Sequence, residues 1–257
     1  MRLLLAAAAL ALVSPTTFAQ GQPATAAQAA PASRPPTAPD PERARRGQAV
    51  FERFCISCHG AHGDGRGYSA QWLDPAPRDF TGGIFKWRST PSGTLPTEGD
   101  LVRTVSRGLS HTNMPSWAPL GGRAVRDVVE YVKTFSPRWQ RESPGEPIKI
   151  PPAPPEDEAS RRRGAELFTQ MGCFSCHGEK GKGDGPSMPT LLDDWGHKIV
   201  PYDFTGGTSL KCGDRPEDIY RVFMTGLTGS PMPSYDGQLS PDDAWHLVHF
   251  LQTLRSQ

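Results

Sequence analysis

Apolar residues recur at helical spacing in four stretches of the chain, and the four form two pairs. Ala44, Gly47, Phe51 and Phe54 fall on one face of a helix that Asp40 can cap and Pro41 can start. Val125, Val128, Val129, Val132 and Phe135 mark a second amphipathic helix further on. The later half repeats the arrangement. Ala159, Gly164, Phe168 and Met171 predict one helix, and Ala244, Leu247, Val248, Leu251 and Leu254 predict another, opened by Ser240 and Pro241. Gly47 and Gly164 are small enough for a close helix crossing, with Tyr131 and Phe250 the aromatic residues to pack there.

Two short motifs sit inside this frame. Cys55-Ile56-Ser57-Cys58-His59 is followed by Met114-Pro115, and Cys173-Phe174-Ser175-Cys176-His177 by Met232-Pro233; both motifs recur 118 residues on. Separated elements that recur with one offset imply a duplicated module whose two ends each carry part of one site. In CxxCH the two thiols add across the vinyl groups of haem, and the adjacent histidine is placed to coordinate the iron. A methionine thioether on a later loop can close the sixth position, a soft ligand that favours Fe(II). The cofactor-binding candidates are therefore Cys55, Cys58, Cys173 and Cys176, and the iron-ligand candidates are His59, Met114, His177 and Met232. A zinc half-site needs four ligands that pair up, yet the two motifs lie in separate halves, each with its own helical frame; a thioredoxin-like pair is the other bland reading of CxxC.

On these residues the chain resembles the class I cytochrome c family in tandem, with a layout similar to dihaem cytochromes of the c4 kind, from about Glu42 to Phe135 and from about Glu158 to Leu254. The resemblance implies an all-α fold of two tandem class I cytochrome c domains, each a small helical fold around one covalent haem c, and one-electron transfer. It names no partner.

Met1-Arg2 precedes an apolar run from Leu3 to Val13, and Thr17-Phe18-Ala19 offers small residues for a signal peptidase. Residues 1–19 are expected to be a signal peptide, too short to span a bilayer, and the location periplasmic, which suits haem attachment on the oxidising side of the membrane. Residues 20–41, rich in Ala, Pro and Gln, read as a disordered tether. Two cytochrome c domains are expected at 42–137 and 157–257, joined by a Pro-rich, semi-rigid linker at 138–156. Hydrophobic residues make up only 36% of the chain, so each haem must supply much of its domain's core.

The loops between the bookends drift while the ligands keep their spacing. Asp79-Phe80-Thr81-Gly82-Gly83 recurs as Asp203-Phe204-Thr205-Gly206-Gly207 at an offset of 124, so the second half carries an insertion before this point, and extra length at 89–99 in the first half restores the register by Met114. A backbone carbonyl near Pro77 and Pro201 is a candidate acceptor for the Nδ1 proton of His59 or His177. Cys212 is the fifth cysteine, left over once haem takes four; it reads as a small residue beside the haem or, alternatively, as a thiolate ligand. Lys86, Arg88 and Lys211 are candidates to face haem propionates. His111 and His197, on loops, stay open as rivals for the sixth iron position.

A formal net charge of +1 hides an asymmetry: residues 42–137 carry 13 Lys and Arg against 9 Asp and Glu, and residues 157–257 carry 10 against 14. A dipolar carrier presents different ends to a donor and an acceptor. The expected partners are redox proteins, with the chain a possible subunit of a larger oxidoreductase; no nucleic-acid surface and no membrane span is expected. Two function classes remain: an electron carrier, not an enzyme, with both irons six-coordinate, or a dihaem redox enzyme with one open or switchable haem, peroxidase-like or thiosulfate-oxidising.

Overall fold

The side chain of Asp40 accepts the N–H of Arg43 at 2.9 Å and starts helix α1, Pro41–Phe54, with proline in its first turn. The computed structural model describes residues 37–211 and 213–255; the expected leader, residues 20–36 of the expected tether, and Cys212 lie outside them. After α1 come the single turn α2 (Ile56–His59), α3 (Glu98–Arg107), α4 (Gly122–Thr134) and the single turn α5 (Arg138–Arg141). The second half supplies α6 (Glu158–Gln170), the single turn α7 (Phe174–His177), α8 (Pro216–Thr225) and α9 (Pro241–Arg255). Among the described residues the regular structure is all-helical, apart from two isolated bridges, Leu95 with Pro144 and Leu192 with Lys198. No described helix is long and apolar enough to cross a membrane.

In each half the first and last long helices pack together, α1 on α4 and α6 on α9. The crossings are as close as backbones allow. A Cβ at Gly47 would overlap the carbonyl of Asp127, and one at Gly164 would overlap the carbonyl of His246. Around each crossing the predicted aromatics close in: Phe51 meets Tyr131 edge to face at 5.3 Å, and Phe168 meets Phe250 at 5.5 Å. Arginine forks tie the same pairs, Arg46 to Asp127 at 2.8 and 3.0 Å and Arg163 to Asp243 at 2.9 and 3.2 Å.

Two separate cores form around these pairs. One gathers Phe51, Phe80, Phe85, Leu95, Leu101, Val128, Val129, Val132 and Trp139; the other is centred on Leu167, Phe168, Tyr220, Phe223, Trp245, Leu247, Val248 and Leu251. Ala159, expected on the buried face of α6, is exposed, and Ser160 is buried instead. Its hydroxyl lies 2.7 Å from Nδ1 of His246 and 2.6 Å from Nδ1 of His249, a polar inner contact that hydrophobic periodicity does not register. The segment 138–156 is docked on both halves: Trp139 is buried in the first core, Ile148 donates its N–H to Ser89 at 2.8 Å, and Trp245 Nε1 donates to the carbonyl of Pro151 at 3.1 Å.

Gly47→Ala or Gly164→Ala is expected to lower the unfolding free energy by about 2–3 kcal/mol, since the new methyl meets backbone that cannot yield; denaturant unfolding of each variant checks it. The carboxyls of Asp127 and Asp243 are held below the usual range, first by the hydrogen bonds from Arg46 and Arg163. A depressed folded pKa contributes stability that is full above the unfolded value near pH 4 and is lost as pH falls through the folded value. Below about pH 4 the melting temperature of Asp127→Asn should therefore fall less steeply than that of the wild type.

Candidate functional site

Helix α1 runs straight into the first cysteine motif, with the N–H of Cys55 donating to Phe51 at 2.8 Å. The N–H of His59 then reaches the carbonyl of Cys55 at 2.9 Å, so Cys55, Cys58 and His59 stand at i, i+3 and i+4 on one face of a single turn. The second motif is built the same way, His177 N–H to Cys173 at 2.9 Å, after one extra residue that Gly172 absorbs at φ 70°. All four cysteines are half-buried and none is paired in a disulfide, so each thiol is available for a thioether bond; before that bond forms, burial pushes the Cys55 thiol up to about 11.

The histidines are fixed from behind. His59 Nδ1 donates to the carbonyl of Arg78 at 3.0 Å, and His177 Nδ1 to that of Tyr202 at 3.4 Å, in each case one residue past the proline that sequence had marked. A carbonyl cannot donate, so Nδ1 carries the proton and Nε2 keeps its lone pair for a metal. Phe80 stacks on His59 at 4.6 Å and Phe204 lies over His177 at 4.9 Å, so the two recurrent Asp-Phe-Thr-Gly-Gly loops supply the ring supports. Burial lowers the pKa of both imidazoles, partly offset by the bonds to Arg78 and Tyr202, which favours the neutral, ligating form.

The methionine loops share their main hydrogen bonds. Leu109 N–H donates to Met114 at 3.0 Å and Leu227 N–H to Met232 at 3.1 Å; Trp117 N–H donates to Val105 at 3.1 Å and Tyr235 N–H to Phe223 at 2.9 Å. Ser116 and Ser234 hydroxyls each donate at 2.6 Å to a carbonyl near the end of the preceding helix, Ser106 of α3 and Met224 of α8. Met232 and Cys173 pack against the same core, to which Tyr235 of the methionine loop also belongs.

Where the halves meet, cations are shielded without matching carboxylates. Among the described residues Arg78, Lys86 and Lys211 are half-buried with no carboxylate within ion-pair distance, and burial pushes Lys86 down to about 8. Arg88 is buried but committed: it donates to the carbonyls of Phe85, Pro91 and, across the boundary at 2.6 Å, Thr225 at the end of α8. Trp139 Nε1 is a buried donor with no hydrogen-bond partner among the described residues. Cations shielded without a carboxylate in contact, and a buried donor without an acceptor, are costly in a low dielectric. Together with paired thiols and a histidine whose Nε2 is free, they fit a porphyrin that brings iron, vinyl groups and two carboxylates.

Of the two rival histidines, His111 is exposed and His197 lies 3.4 Å from the carboxylate of Asp193; on α9, His246 and His249 both lie within hydrogen-bond distance of the Ser160 hydroxyl. Cys212 lies outside the described residues.

A helical fold in two halves, each with a CxxCH turn, a carbonyl-anchored histidine and a pinned methionine loop, defines a tandem c-type cytochrome. Comparison with known proteins agrees. Residues 162–255 match the cytochrome c family model, and residues 42–132 match the model of cytochrome c oxidase, cbb3-type, subunit III. The chain is similar to a chain of the reducing HAO-like protein complex of Kuenenia stuttgartiensis, 38% identical with a TM-score of 0.79, over 81% of this chain and 95% of that one. It is also 26% identical to the cbb3-type cytochrome c oxidase subunit FixP of Azorhizobium caulinodans, over 81% of this chain but 58% of that protein, so it spans somewhat over half of that relative's length. The chain belongs to the cytochrome c family: two cytochrome c domains in tandem, which bind two covalent haem c groups and serve electron transfer.

Removing either loop hydroxyl, in Ser116→Ala or Ser234→Ala, is expected to cost about 1 kcal/mol of stability in the holoprotein. Thermal unfolding followed in the haem absorption band reads the loss.

Proposed function

We propose that this chain is a periplasmic carrier that passes single electrons between redox proteins through two His/Met-ligated haems, and docks on a larger oxidoreductase. The observation that carries the reading is the methionine loop, held by the same hydrogen bonds at the same 118-residue offset in both halves. Cys55 and Cys58 hold the first haem, with His59 and Met114 on its iron; Cys173 and Cys176 hold the second, with His177 and Met232. The domains run over 42–137 and 157–257. Bound there, haem supplies a one-electron Fe(III)/Fe(II) couple.

The protein's own residues do the rest. Arg78 and Tyr202 carbonyls hold each imidazole in one tautomer and orientation, and Phe80 and Phe204 fix its plane. The pinned loops offer a thioether, which favours the reduced iron. Arg78, Lys86 and Lys211 offset the propionate charge that burial would otherwise make costly. Two relatives that belong to larger assemblies, an oxidase subunit and a member of a HAO-like complex, support docking on such a partner. The excess of basic residues in 42–137 and of acidic residues in 157–257 supports different partners at the two ends.

Holoprotein made with a haem-attachment system should hold two haems per chain, both low-spin, and bind no carbon monoxide. Met232→Ala should then bind one carbon monoxide per chain, read in the reduced spectrum. A wild-type protein with a high-spin fraction, or one that binds carbon monoxide, would contradict the carrier reading and favour an enzyme with an open haem.

A further inference from the structure

We propose that Trp195 is a positioning residue for both haem sites at once, reaching the first through Arg78 and the second through the Met232 loop. The proposal rests on the ligation given above. Trp195 lies in the insertion that moves the second Asp-Phe-Thr-Gly-Gly loop out of the ligand register. The inserted segment is ordered by its own bonds. Leu192 bridges to Lys198, Asp193 N–H donates to His197 at 2.8 Å, and Ile199 N–H donates to Leu191 at 3.0 Å. Asp193 Oδ1 accepts the N–H of Trp195 at 3.0 Å and of His197 at 2.9 Å, which holds Trp195 at the tip of a small hairpin.

From that tip the indole reaches into the other half. The Arg78 guanidinium lies over the ring, 4.3 Å from the centroid, while Asp193 and Asp194 attract its charge. Arg78 is the residue whose carbonyl accepts the His59 Nδ1 proton. The edge of the same indole covers Gly229, where an added Cβ would lie 2.7 and 2.8 Å from ring carbons, and Asp194 N–H donates to the Gly229 carbonyl at 3.3 Å. Gly229 sits in the turn that Leu227 N–H closes onto the carbonyl of Met232. One ring therefore touches the support of His59 and the support of Met232, which belong to different haems.

Position 229 supplies independent support. Its counterpart 118 residues earlier is His111, the one non-glycine residue with positive φ among those described, at 55° against 83° for Gly229. Both turns take the left-handed backbone, and in the first half the position carries an exposed side chain. In the second half the indole occupies that space, with Ile84 3.0 Å from the same position. Glycine at 229 thus follows from what packs there, Trp195 most closely, since the turn itself accepts histidine.

The physical consequence is a paired effect. A guanidinium fixed beside the carbonyl that holds His59 adds positive potential on that side and favours the reduced state of the first site. Packing of the ring on Gly229 restrains the loop that presents Met232. Trp195→Ala should therefore lower the midpoint potential of the first haem and let carbon monoxide bind at the second, although Trp195 is next to no iron ligand in sequence. Trp195→Phe, which keeps an aromatic face, should fall between wild type and Trp195→Ala in both readouts and covers the case in which the alanine variant fails to fold. Arg78→Gln should move only the first potential, and Gly229→Ala, whose methyl meets the indole, should loosen the second site.

The experiment is a spectroelectrochemical titration and a carbon monoxide titration of each holoprotein, with the two haems assigned by Met114→Ala and Met232→Ala. Shifts at both haems in Trp195→Ala, partly restored in Trp195→Phe, support the proposal. Folded Trp195 variants with wild-type potentials and no carbon monoxide binding overturn it while leaving the ligation intact. A wild-type protein without methionine-to-iron charge transfer at the second haem overturns the ligation and the proposal together.

Discussion

Each half of the molecule depends on a helix crossing so tight that only glycine fits at its centre. Gly47 lies against the Asp127 carbonyl and Gly164 against that of His246, and the Arg46–Asp127 and Arg163–Asp243 forks hold the two crossings shut. The crossing joins the beginning of each half to its end. The chain between them must then fold back on itself, and its loops, with α3 in one half and α8 in the other, carry the histidine supports and the methionines. With hydrophobic residues at only 36% of the chain, the packing of these loops needs a large apolar group at the centre, which is the part a haem plays in this family.

The repeat separates what the chemistry constrains from what it leaves free. Cysteines, histidines and methionines keep a 118-residue offset; the Asp-Phe-Thr-Gly-Gly loops have moved to 124, and an extra residue at Gly172 displaces α6 from its motif. Both ring supports survive this drift because the loop needs only to end with a carbonyl at Nδ1 and a phenylalanine over the imidazole. Where the drift is largest the two halves stop being equivalent, and there the second half reaches the first through Trp195 and Arg78.

Much of this was legible in the sequence. The four long bookend helices follow from apolar periodicity, the capping residues at Asp40 and Ser240 lie where they were expected, and two CxxCH motifs with matched methionines point to haem by themselves. Loops carry no periodicity, and that is where the reading fell short. The carbonyls expected near Pro77 and Pro201 are there, those of Arg78 and Tyr202, although which peptide faces the imidazole depends on the loop's path. Arg88 read as a propionate partner and instead closes the end of α8, since a long side chain's target is set by tertiary approach. Ala159 looked like the face of α6, but Ser160 is turned inward to two histidines on α9. A signal for Trp195 did exist: an insertion bearing an aromatic, and a glycine at 229 where the other half has His111.

The central claim is that each half presents one histidine and one methionine to its own iron. Proton NMR of the fully reduced holoprotein tests it most directly, because the ring current of a diamagnetic haem moves the methyl of a coordinated methionine far upfield. The account predicts two such methyl signals per chain, one lost in Met114→Ala and the other in Met232→Ala. A single signal, or two that survive either substitution, would contradict it.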